Sequence, residues 1–444
     1  MNKIKIYFSL TSILSILLIL GFLGCTKSKK ISTAVTKDFN VVVILIDTLR
    51  ADHLPFYGYS KNTAPFLDSI SKKSIIFDKA FSTSSYTAPS VASIFTSLLP
   101  SQHGVTTGHF ANLRLQKKNE ETVTFDRIPL ELTTIAEDMK LVGFKTFAVA
   151  DNLNVSEEMQ FNQGFDKFSM FRNEGAQKVN EQVKAWASEI KSSDRYFLYL
   201  HYMDPHEPYL ERSPWFKSSN DKNQDQINAY DSEITYTDSH IKELSEIFNW
   251  DQNTLIVLIA DHGEEFQDHG GFGHGKTLYK EVIHVPFVIF APGISAQRIQ
   301  SHVSTMDLLP TLAGLLNFPR KDLWMGNNLL PLIEENNKED RFIISQLLRK
   351  AENPRAELKS VVSSDWHLIT TKPKQMPMSY ELFNVRTDFQ QKTNEFKSKI
   401  EIAKVLEEKI ASVGIEKVVK EETHFEKKIT QEGLSELKSL GYAE

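Results

Sequence analysis

Four side chains of this 444-residue chain have types and positions that suit metal-assisted chemistry. Asp47 closes the apolar run "NVVVILI", Asp261 and His262 follow "NTLIVLIA", and Thr87 lies where "SSYTAPS" leads into a helix predicted from about Ser90. Two carboxylates and an imidazole can bind a hard or borderline divalent cation. A hydroxyl at that cation would be acidified and become a nucleophile. The pattern predicts a metal site formed by Asp47, Thr87, Asp261 and His262, with Thr87 as the nucleophile.

Positive groups near these positions indicate an anionic substrate. His206, His274 and Lys276 can supply positive charge, and the helix after Thr87 offers backbone N–H groups and the positive end of its dipole to an oxyanion. A metal, a nucleophile and cationic groups together suit transfer of a phosphoryl or sulfuryl group, because that chemistry depends mostly on positioning and charge neutralisation.

Each candidate also has a purely structural interpretation. A threonine at a helix start is commonly an N-terminal cap, and an aspartate after a strand can cap the next helix. His201 and His206, beside aromatic residues, can be ordinary loop histidines. The pair Asp261 and His262 favours the functional interpretation, since charged residues directly after "LIVLIA" need a reason to lie against a core.

Five apolar runs are the elements that must position these residues. Four of them end near 46, 150, 204 and 260, and the fifth is "VPFVIF"; helical stretches such as "ELTTIAEDMKLV" alternate with them. This order predicts an α/β fold with three layers, α/β/α, around a mostly parallel sheet. Ligands bind at the carboxyl ends of the strands in such sheets, and the candidate residues, Asp204 included, fall at those ends.

The pattern changes from about residue 340. "SVVSSDWHLITTK" and "SYELFNVRTD" predict a small antiparallel sheet, and a charged helix is expected near residues 391–412. We therefore predict a catalytic domain over residues 40–335 and a smaller α+β subdomain over residues 336–444.

The N-terminus predicts a location in the cell envelope. Residues 1–25 combine early lysines with an apolar run ending at Cys25, which is typical of a secretory signal and similar to a lipoprotein signal with a lipidated cysteine. An uncleaved membrane anchor and simple secretion are the alternatives, and all three place the catalytic body outside the cytoplasm. Residues 26–39 are expected to be a tether. Cys25 is the only cysteine, so disulfides are excluded, and a net charge of −6 gives no basic bias toward nucleic acid.

Several ordered motifs resemble the sulfatase branch of the alkaline phosphatase superfamily, over roughly residues 40–335. They include "ILIDTLRADHLPFYGY", "SSYTAPSVASIFTSLLPSQHGV", "FLYLHYMDPHEPY", "IADHGEEF", "GHGKTLYKEVIHVPFVIFAPG" and "STMDLLPTLAGLL". The resemblance implies that Asp47 is the first ligand aspartate, that Asp261 and His262 are the later ligand pair, and that Thr87 is at the nucleophile position. It also implies that His206 and Lys276 contact the transferred group. Further candidates are Arg50, His103 and His274 for the substrate and Asp204 for the metal.

Three departures from the sulfatase pattern change the expected chemistry. Sulfatases oxidise a Cys or Ser to formylglycine, whose hydrate has two hydroxyls, but Thr87 carries one hydroxyl on a methyl-bearing carbon and cannot become that aldehyde. Val91 replaces the motif's arginine. Thr48 replaces the second aspartate of the usual pair, and His262 replaces an asparagine. The pattern is similar to the threonine-nucleophile relatives, which include lipoteichoic acid synthases, phosphoethanolamine transferases and nucleotide pyrophosphatase/phosphodiesterases.

These departures favour one divalent cation, Mn²⁺, Zn²⁺ or Mg²⁺, over an oxygen-rich Ca²⁺ site. His206 lies two residues after Asp204, whereas two-metal members place a histidine four residues after that aspartate. The spare residues His284 and His302 leave a second metal open.

We therefore expect a metal-dependent hydrolase or transferase that cleaves a phosphate ester, a phosphodiester above all, through a covalent intermediate on Thr87. The substrate is expected to be a small-molecule, lipid or glycan ester. One alternative is a sulfatase, and another is a catalytically inactive binding lipoprotein of the envelope, which the loss of the family residues at Thr48 and Val91 would suit.

Overall fold

The computed structural model describes residues 39–108, 122–334, 340–348, 356–373, 376–413, 418 and 423–428. The predicted signal and all but the last residue of the tether lie outside this range. In the described part of the chain, no helix combines the length and the apolar character that crossing a membrane requires.

Seventeen strands are described, and nine of them form the central sheet. In chain order they are β1 (Asn40–Ile46), β2 (Ser74–Phe81), β3 (Thr122–Asp126), β4 (Lys145–Ala150), β5 (Lys167–Met170), β6 (Tyr196–Tyr202), β7 (Thr254–Ile259), β8 (Glu265–Phe266), β9 (Phe272–Gly273), β10 (His284–Val285), β11 (Phe287–Phe290), β12 (Gln297–Ser304), β13 (Ile343–Leu347), β14 (Glu357–Val362), β15 (Trp366–Lys372), β16 (Ser379–Asn384) and β17 (His424–Lys428). The central sheet has the order β10–β2–β11–β7–β1–β6–β4–β5, and β12 also pairs with β2.

The helices are named in the same way. They are α1 (Pro65–Ser71), α2 (Thr87–Thr96), α3 (Pro100–His103), α4 (Ile135–Leu141), α5 (Ala176–Ala185), α6 (Ala187–Ser192), α7 (Lys222–Phe248), α8 (Trp250–Asn253), α9 (Lys280–Ile283), α10 (Leu308–Leu316), α11 (Leu330–Glu334) and α12 (Ile400–Ser412). Short 3₁₀ turns occur at Ala51–His53, Pro55–Tyr57, Thr305–Asp307 and Phe396–Ser398.

Strand β1 shows why the predicted three-layer architecture forms. All seven of its residues are buried, and successive side chains point to opposite faces of the sheet. Val41, Val43 and Leu45 pack into one apolar cluster with α2, α4 and α10, whereas the alternate residues pack into a second cluster with α1, α5 and α7. Each fully buried aliphatic side chain contributes about 1.5–3 kcal/mol. The continuous apolar run therefore specifies a strand covered by helices on both faces.

The sheet is mixed rather than wholly parallel. Strands β7, β1, β6 and β4 are parallel neighbours, as the sequence predicted, and β5, which the sequence analysis did not identify, adds to β4 in parallel. Strand β11, predicted only as a further strand, runs antiparallel to both β7 and β2. A run of apolar residues indicates burial on both faces but not the direction of the strand.

The C-terminal region contains the predicted small antiparallel sheet. Its order is β13–β14–β15–β16, and α12 packs against one face through Ala403, Leu406 and Ile410. The helix is shorter than expected and begins at Ile400. Strand β17 pairs with β3, and β8 pairs with β9.

Candidate active site

The ends of two neighbouring strands bring three predicted ligands together. Asp47 follows β1, and Asp261 and His262 follow β7; the two strands pair in parallel, with Leu45 opposite Ile259. All three side chains are fully buried, and one ligand atom from each lies within 4.8 Å of the others. His262 Nε2 is 3.3 Å from Asp261 Oδ2 and 3.8 Å from Asp47 Oδ1. The predicted convergence of these residues is therefore present.

Thr87 joins this group at the start of α2. Its Oγ1 lies 3.3 Å from His262 Nε2 and is buried. The helix begins at Thr87 itself, three residues before the predicted start. Tyr86 occupies the N-cap position without a side-chain capping bond. Thr87 is thus not the capping residue of α2, and its hydroxyl lies beside the predicted metal ligand His262 instead.

Local contacts fix the orientation of His262 and of the helix. The His262 Nδ1 group lies 3.0 Å from the Gly263 carbonyl, so Nδ1–H donates there and the Nε2 lone pair faces the site. Ser90 Oγ donates to the Asp261 carbonyl at 2.6 Å and fastens α2 to the end of β7. A Cβ at Gly263 would lie 2.1 Å from the Glu281 carbonyl oxygen, so only glycine permits this close approach.

Two residues behind Asp47 leave one of its oxygens available. Asp47 Oδ2 accepts a 2.6 Å hydrogen bond from Asn152 Nδ2 and lies 3.0 Å from His201 Nε2. His201 Nδ1 lies 3.1 Å from the Tyr199 hydroxyl. His201 belongs to β6 and is not a loop histidine. Asn152 was not identified from the sequence, although it follows the buried strand β4 just as the other site residues follow theirs.

The two carboxylates have opposite pKa shifts. Burial disfavours the charged form of Asp47, but the hydrogen bond from His201 and the nearby imidazoles hold its pKa below the usual range. Burial and then the negative charge of Asp47 raise the pKa of Asp261. Burial lowers the pKa of His262, which favours the neutral ring that can bind a metal.

The unpaired oxygens of this group fit a cation. Within the described residues, Asp47 Oδ1 and Asp261 Oδ2 are buried and lack hydrogen-bond partners. Buried, unpaired carboxylate oxygens are costly unless a positive ion compensates them. Two carboxylates, a neutral imidazole and a hydroxyl are a donor set suited to Mn²⁺, Zn²⁺ or Mg²⁺.

The substituted positions Thr48 and Val91 are both part of the folded core. Thr48 has a φ of 56°, a left-handed conformation that is rare for a β-branched residue. Its hydroxyl donates to the Pro205 carbonyl at 2.9 Å, and its N–H donates to Asp261 Oδ1 at 3.3 Å. Val91 is fully buried in the cluster beneath α2. Neither side chain adds a charge to the site.

The imidazoles of His274 and His206 extend the site toward solvent. The His274 ring centroid lies 4.4 Å from that of His262 and 4.9 Å from that of His206. His274 Nδ1 is 3.0 Å from Oε1 of the buried Glu264, a partner that the sequence analysis did not assign. His206 is partly exposed, and its Nδ1 lies 2.7 Å from the Glu207 carbonyl.

The two cationic candidates, Lys276 and Arg50, differ in their surroundings. Lys276 is exposed and donates to the Phe272 carbonyl at 2.7 Å. Arg50 is buried and forms ion pairs with Asp52 and Asp268, and its Nη1 donates to the Glu264 carbonyl at 3.0 Å. These contacts give Arg50 an anchoring function, and contact between Arg50 and substrate remains a prediction.

Other candidates lie outside the cluster of Asp47, Asp261 and His262. Asp204 Oδ1 accepts from the Ala176 N–H at 3.1 Å and contacts Arg212. His103 is buried between Ser93 and the Val105 N–H. His284 Nε2 lies 3.0 Å from the Asp78 carbonyl, and His302 stacks on Phe81. Among the described residues, none of these four joins the metal-binding group.

Comparisons with known proteins agree with this architecture. The family model described as Sulfatase matches residues 39–318. The Ulvan-active sulfatase of Formosa agariphila is 24% identical over 402 residues, which are 76% of this chain and 74% of that protein. The Putative transferase YhbX of Escherichia coli strain K12 is 24% identical over 268 residues, which are 56% of this chain and 43% of YhbX.

A solved structure shows that the fold is shared with an enzyme of phosphorus chemistry. The Phosphonate Monoester Hydrolase of Agrobacterium radiobacter has a TM-score of 0.66 and 14% sequence identity, and the match covers 84% of this chain and 95% of that chain. At this identity the likeness shows the fold alone.

Proposed function

The chain belongs to the sulfatase family of the alkaline phosphatase superfamily, and on that premise we propose that this hydrolase cleaves a phosphate ester, a phosphodiester above all, with Thr87 Oγ1 as the nucleophile. The observation that carries the proposal is the buried hydroxyl of Thr87, 3.3 Å from His262 Nε2 at the first turn of α2. Backbone N–H groups of that turn can bind an oxyanion.

The chemistry of threonine favours phosphorus over sulfur. Attack by Thr87 forms an Oγ1–P bond while the bond from phosphorus to the ester oxygen breaks. Water or an alcohol then attacks phosphorus, and the Oγ1–P bond breaks. The sulfatase route instead releases sulfate through the second hydroxyl of a hydrated formylglycine, which a threonine side chain does not have.

Asp47, Thr87, Asp261 and His262 are the residues that would hold the cation. When bound, it supplies positive charge that favours the Thr87 alkoxide and offsets the charge of the transferred group. His206 is partly exposed and in ring contact with His274, so it is placed to give a proton to the departing alcohol. Lys276 is the candidate for binding the non-bridging oxygens.

Sulfate ester hydrolysis is the second candidate, and the names of the relatives favour it. The Formosa agariphila protein that aligns with 76% of this chain is named a sulfatase. A threonine enzyme would then have to hydrolyse a sulfated Thr87 directly, by attack of water on sulfur. The relative named as a transferase keeps transfer to an alcohol open as the second step of either reaction.

A substrate panel with a single leaving group tests the proposal. We would supply the purified protein with Mn²⁺, Zn²⁺ or Mg²⁺ and compare 4-nitrophenyl esters of a phosphodiester, a phosphomonoester, a phosphonate monoester and a sulfate. We expect the phosphodiester to have the highest kcat/KM. Turnover of the sulfate alone would establish the second candidate, and metal binding without any turnover would indicate an inactive binding protein.

Variants of one helix test the nucleophile. Thr87→Ala should lower kcat at least about a thousandfold, and mass spectrometry of rapidly quenched wild-type protein should find, on the peptide containing Thr87, a phosphoryl group that still carries the second alcohol of the diester. The matched control is Thr96→Ala, since Thr96 is a buried threonine of the same helix whose hydroxyl donates to the Ala92 carbonyl at 2.7 Å. Full activity in Thr87→Ala would remove this residue from the mechanism.

We also propose that the protein is anchored in the cell envelope through a lipidated Cys25. The support is the sequence of residues 1–25. Cys25→Ser should abolish labelling by an alkyne fatty acid and release the protein from the membrane fraction. Membrane retention without labelling would favour the uncleaved anchor instead.

A further inference from the structure

A cavity of about 440 Å³ lies between the loop that carries His274 and the C-terminal sheet. The loop contributes residues 275–279, and β13, β14, β15 and β16 contribute the opposite wall. We call this cavity the seam pocket. Its volume is in the range of pockets that hold small molecules, which often occur at boundaries between domains.

Apolar side chains dominate the walls of the seam pocket. Leu347, Leu358 and Ile369 come from neighbouring strands, and Leu278 comes from the loop. Leu347 lies directly opposite Leu358 in the ladder, and Ile369 lies opposite Glu381. The alternation of a strand puts these residues on one face of the sheet, whereas α12 covers the other.

Part of this face is already sealed against the catalytic domain. Ile343 and Val362 pack with Phe81, Leu278 and Val282 in one buried cluster. The seam pocket involves the same face of the sheet, and it shares Leu278 and Leu347 with that cluster. The seam pocket therefore lies at the boundary between the catalytic domain and the C-terminal sheet, next to the buried cluster that joins them.

The pocket and the nucleophile share supporting residues. Tyr86 directly precedes Thr87 and packs against the same buried cluster as Leu358. The Tyr86 ring also lies 6.3 Å from the ring of His274. Ser85 Oγ donates to the Thr277 carbonyl at 2.7 Å, so the segment before Thr87 is fastened to the pocket-lining loop. Ser85 and Tyr86 therefore connect the segment before the nucleophile to the wall of the seam pocket.

The seam pocket has two charged side chains in its lining, Lys276 and Glu381. Lys276 lines the pocket, is exposed, and forms no ion pair within the described part of the chain. Glu381 also lines the pocket, but its Oε1 already accepts a hydrogen bond of 2.8 Å from the Tyr279 hydroxyl. The pocket thus combines one cation with mostly apolar walls, and its other polar side chains are Thr277, Tyr279, Thr371 and Glu381.

We propose that the seam pocket binds an apolar alkyl or aryl group of the ester that Thr87 attacks, with Lys276 beside the anionic centre. The inference rests on the proposed function and deepens it, because it assigns the substrate to esters of hydrophobic alcohols. Such a group would move from water into contact with Leu347, Leu358 and Ile369. Each methylene buried in this way should raise the affinity for the ester roughly fourfold.

A chain-length series tests this inference. 4-Nitrophenyl phosphodiesters whose second alcohol is methanol, butanol, hexanol or glycerol share one leaving group. We expect kcat/KM to rise at least about tenfold from methyl to hexyl, with the glycerol ester no better than the methyl ester. A flat series in an enzyme that turns over the methyl ester would overturn the pocket but not the proposed function. If no phosphodiester is turned over, the proposed function fails first.

Variants locate the effect and keep the test independent of turnover. Leu358→Ser, or the milder Ile369→Thr, should reduce the hexyl-to-methyl ratio to near one, whereas the surface variant Leu141→Ser should keep it. Binding of hexyl phosphonate to the Thr87→Ala protein, measured by calorimetry, should weaken at least about tenfold in the pocket variants. A ratio and an affinity unaffected by both pocket substitutions would place the apolar group elsewhere.

Discussion

The hydroxyl of Tyr230 holds the backbone that directly follows the Cα atom of the strained residue Thr48. It accepts a hydrogen bond of 2.9 Å from the Arg50 N–H and donates one of 2.8 Å to the Thr48 carbonyl. Tyr230 is fully buried. Since Thr48 follows Asp47 directly, this clamp on the left-handed residue fixes where the Asp47 carboxylate lies.

Tyr230→Phe should therefore impair the site more than the fold. It leaves a buried carbonyl and a buried N–H without their partner, at a cost of about 1–3 kcal/mol. We expect kcat to fall roughly tenfold, with weaker metal affinity and a smaller change in KM. Steady-state kinetics and metal titration measure these effects.

Tyr57→Phe is the matched control for this clamp. The Tyr57 hydroxyl likewise bridges two backbone groups, the Phe77 carbonyl at 2.9 Å and the Phe287 N–H at 3.0 Å, but it does so at the sheet away from Asp47. It should lose similar stability and keep its metal affinity. Equal losses of metal affinity in the two variants would mean that Tyr230 acts through stability alone.

Neutralising Asp261 should stabilise the metal-free protein and abolish its response to metal. Burial and the charge of Asp47 raise the pKa of Asp261, so ionisation of Asp261 destabilises the metal-free fold as pH rises from about 4 toward neutrality. Asp261→Asn should raise the metal-free Tm by roughly 1–3 °C at pH 8. Added Mn²⁺ should raise the Tm of the wild type but not of the variant.

Asp204→Asn is the control for this experiment. Asp204 is also buried and has an oxygen, Oδ2, without a hydrogen-bond partner among the described residues, but it lies outside the metal-binding group. Its variant should keep the full response to Mn²⁺. A lost response would make Asp204 a ligand, and a retained response in Asp261→Asn would contradict the site.

The residues that could be predicted from the sequence share one physical signal. Asp47, Asp261 and His262 each directly follow a continuous apolar run, and parallel neighbours bring such ends to one edge of the sheet. Local composition was sufficient there because each strand is buried on both faces. Asn152 follows β4 in the same manner, but an amide carries no charge and is less conspicuous after an apolar run.

Features that depend on tertiary packing could not be predicted in this way. The antiparallel direction of β11 depends on how the chain turns between β7 and β10, because β10 continues into β11 in one direction along β2. The engagement of Arg50 with Asp268 joins residues 218 positions apart. The seam pocket arises where the C-terminal sheet meets the loop of residues 275–279. No periodicity within one segment encodes such contacts.

The hydrogen bond from Asn152 should set the metal affinity of Asp47. Asn152 Oδ1 accepts from the Asn154 N–H at 2.8 Å, which directs Nδ2 to Asp47 Oδ2. Asn152→Ala should weaken Mn²⁺ binding about 10–100-fold, measured by calorimetry. Asn40→Ala is the control, because Asn40 begins β1, the strand that Asp47 follows, and its side chain accepts a hydrogen bond of 3.1 Å from the Tyr196 N–H. An unchanged affinity in Asn152→Ala would show that His201 alone orients the carboxylate.

Lowering the pH should destabilise the fold, because buried neutral histidines take up protons when the chain unfolds. Substitution of His103 measures the contribution of one of them. Burial lowers its pKa to about 3, so the stability that its neutral ring gives is present above about pH 6.5 and is lost as pH falls toward 3. Urea unfolding should show up to about 1.4 kcal/mol less loss per pH unit in His103→Gln than in wild type between pH 6 and 4. Thr96→Ala, which removes no titratable group from α2, should lower stability equally at each pH. Parallel pH profiles for wild type and His103→Gln would contradict a neutral, buried His103.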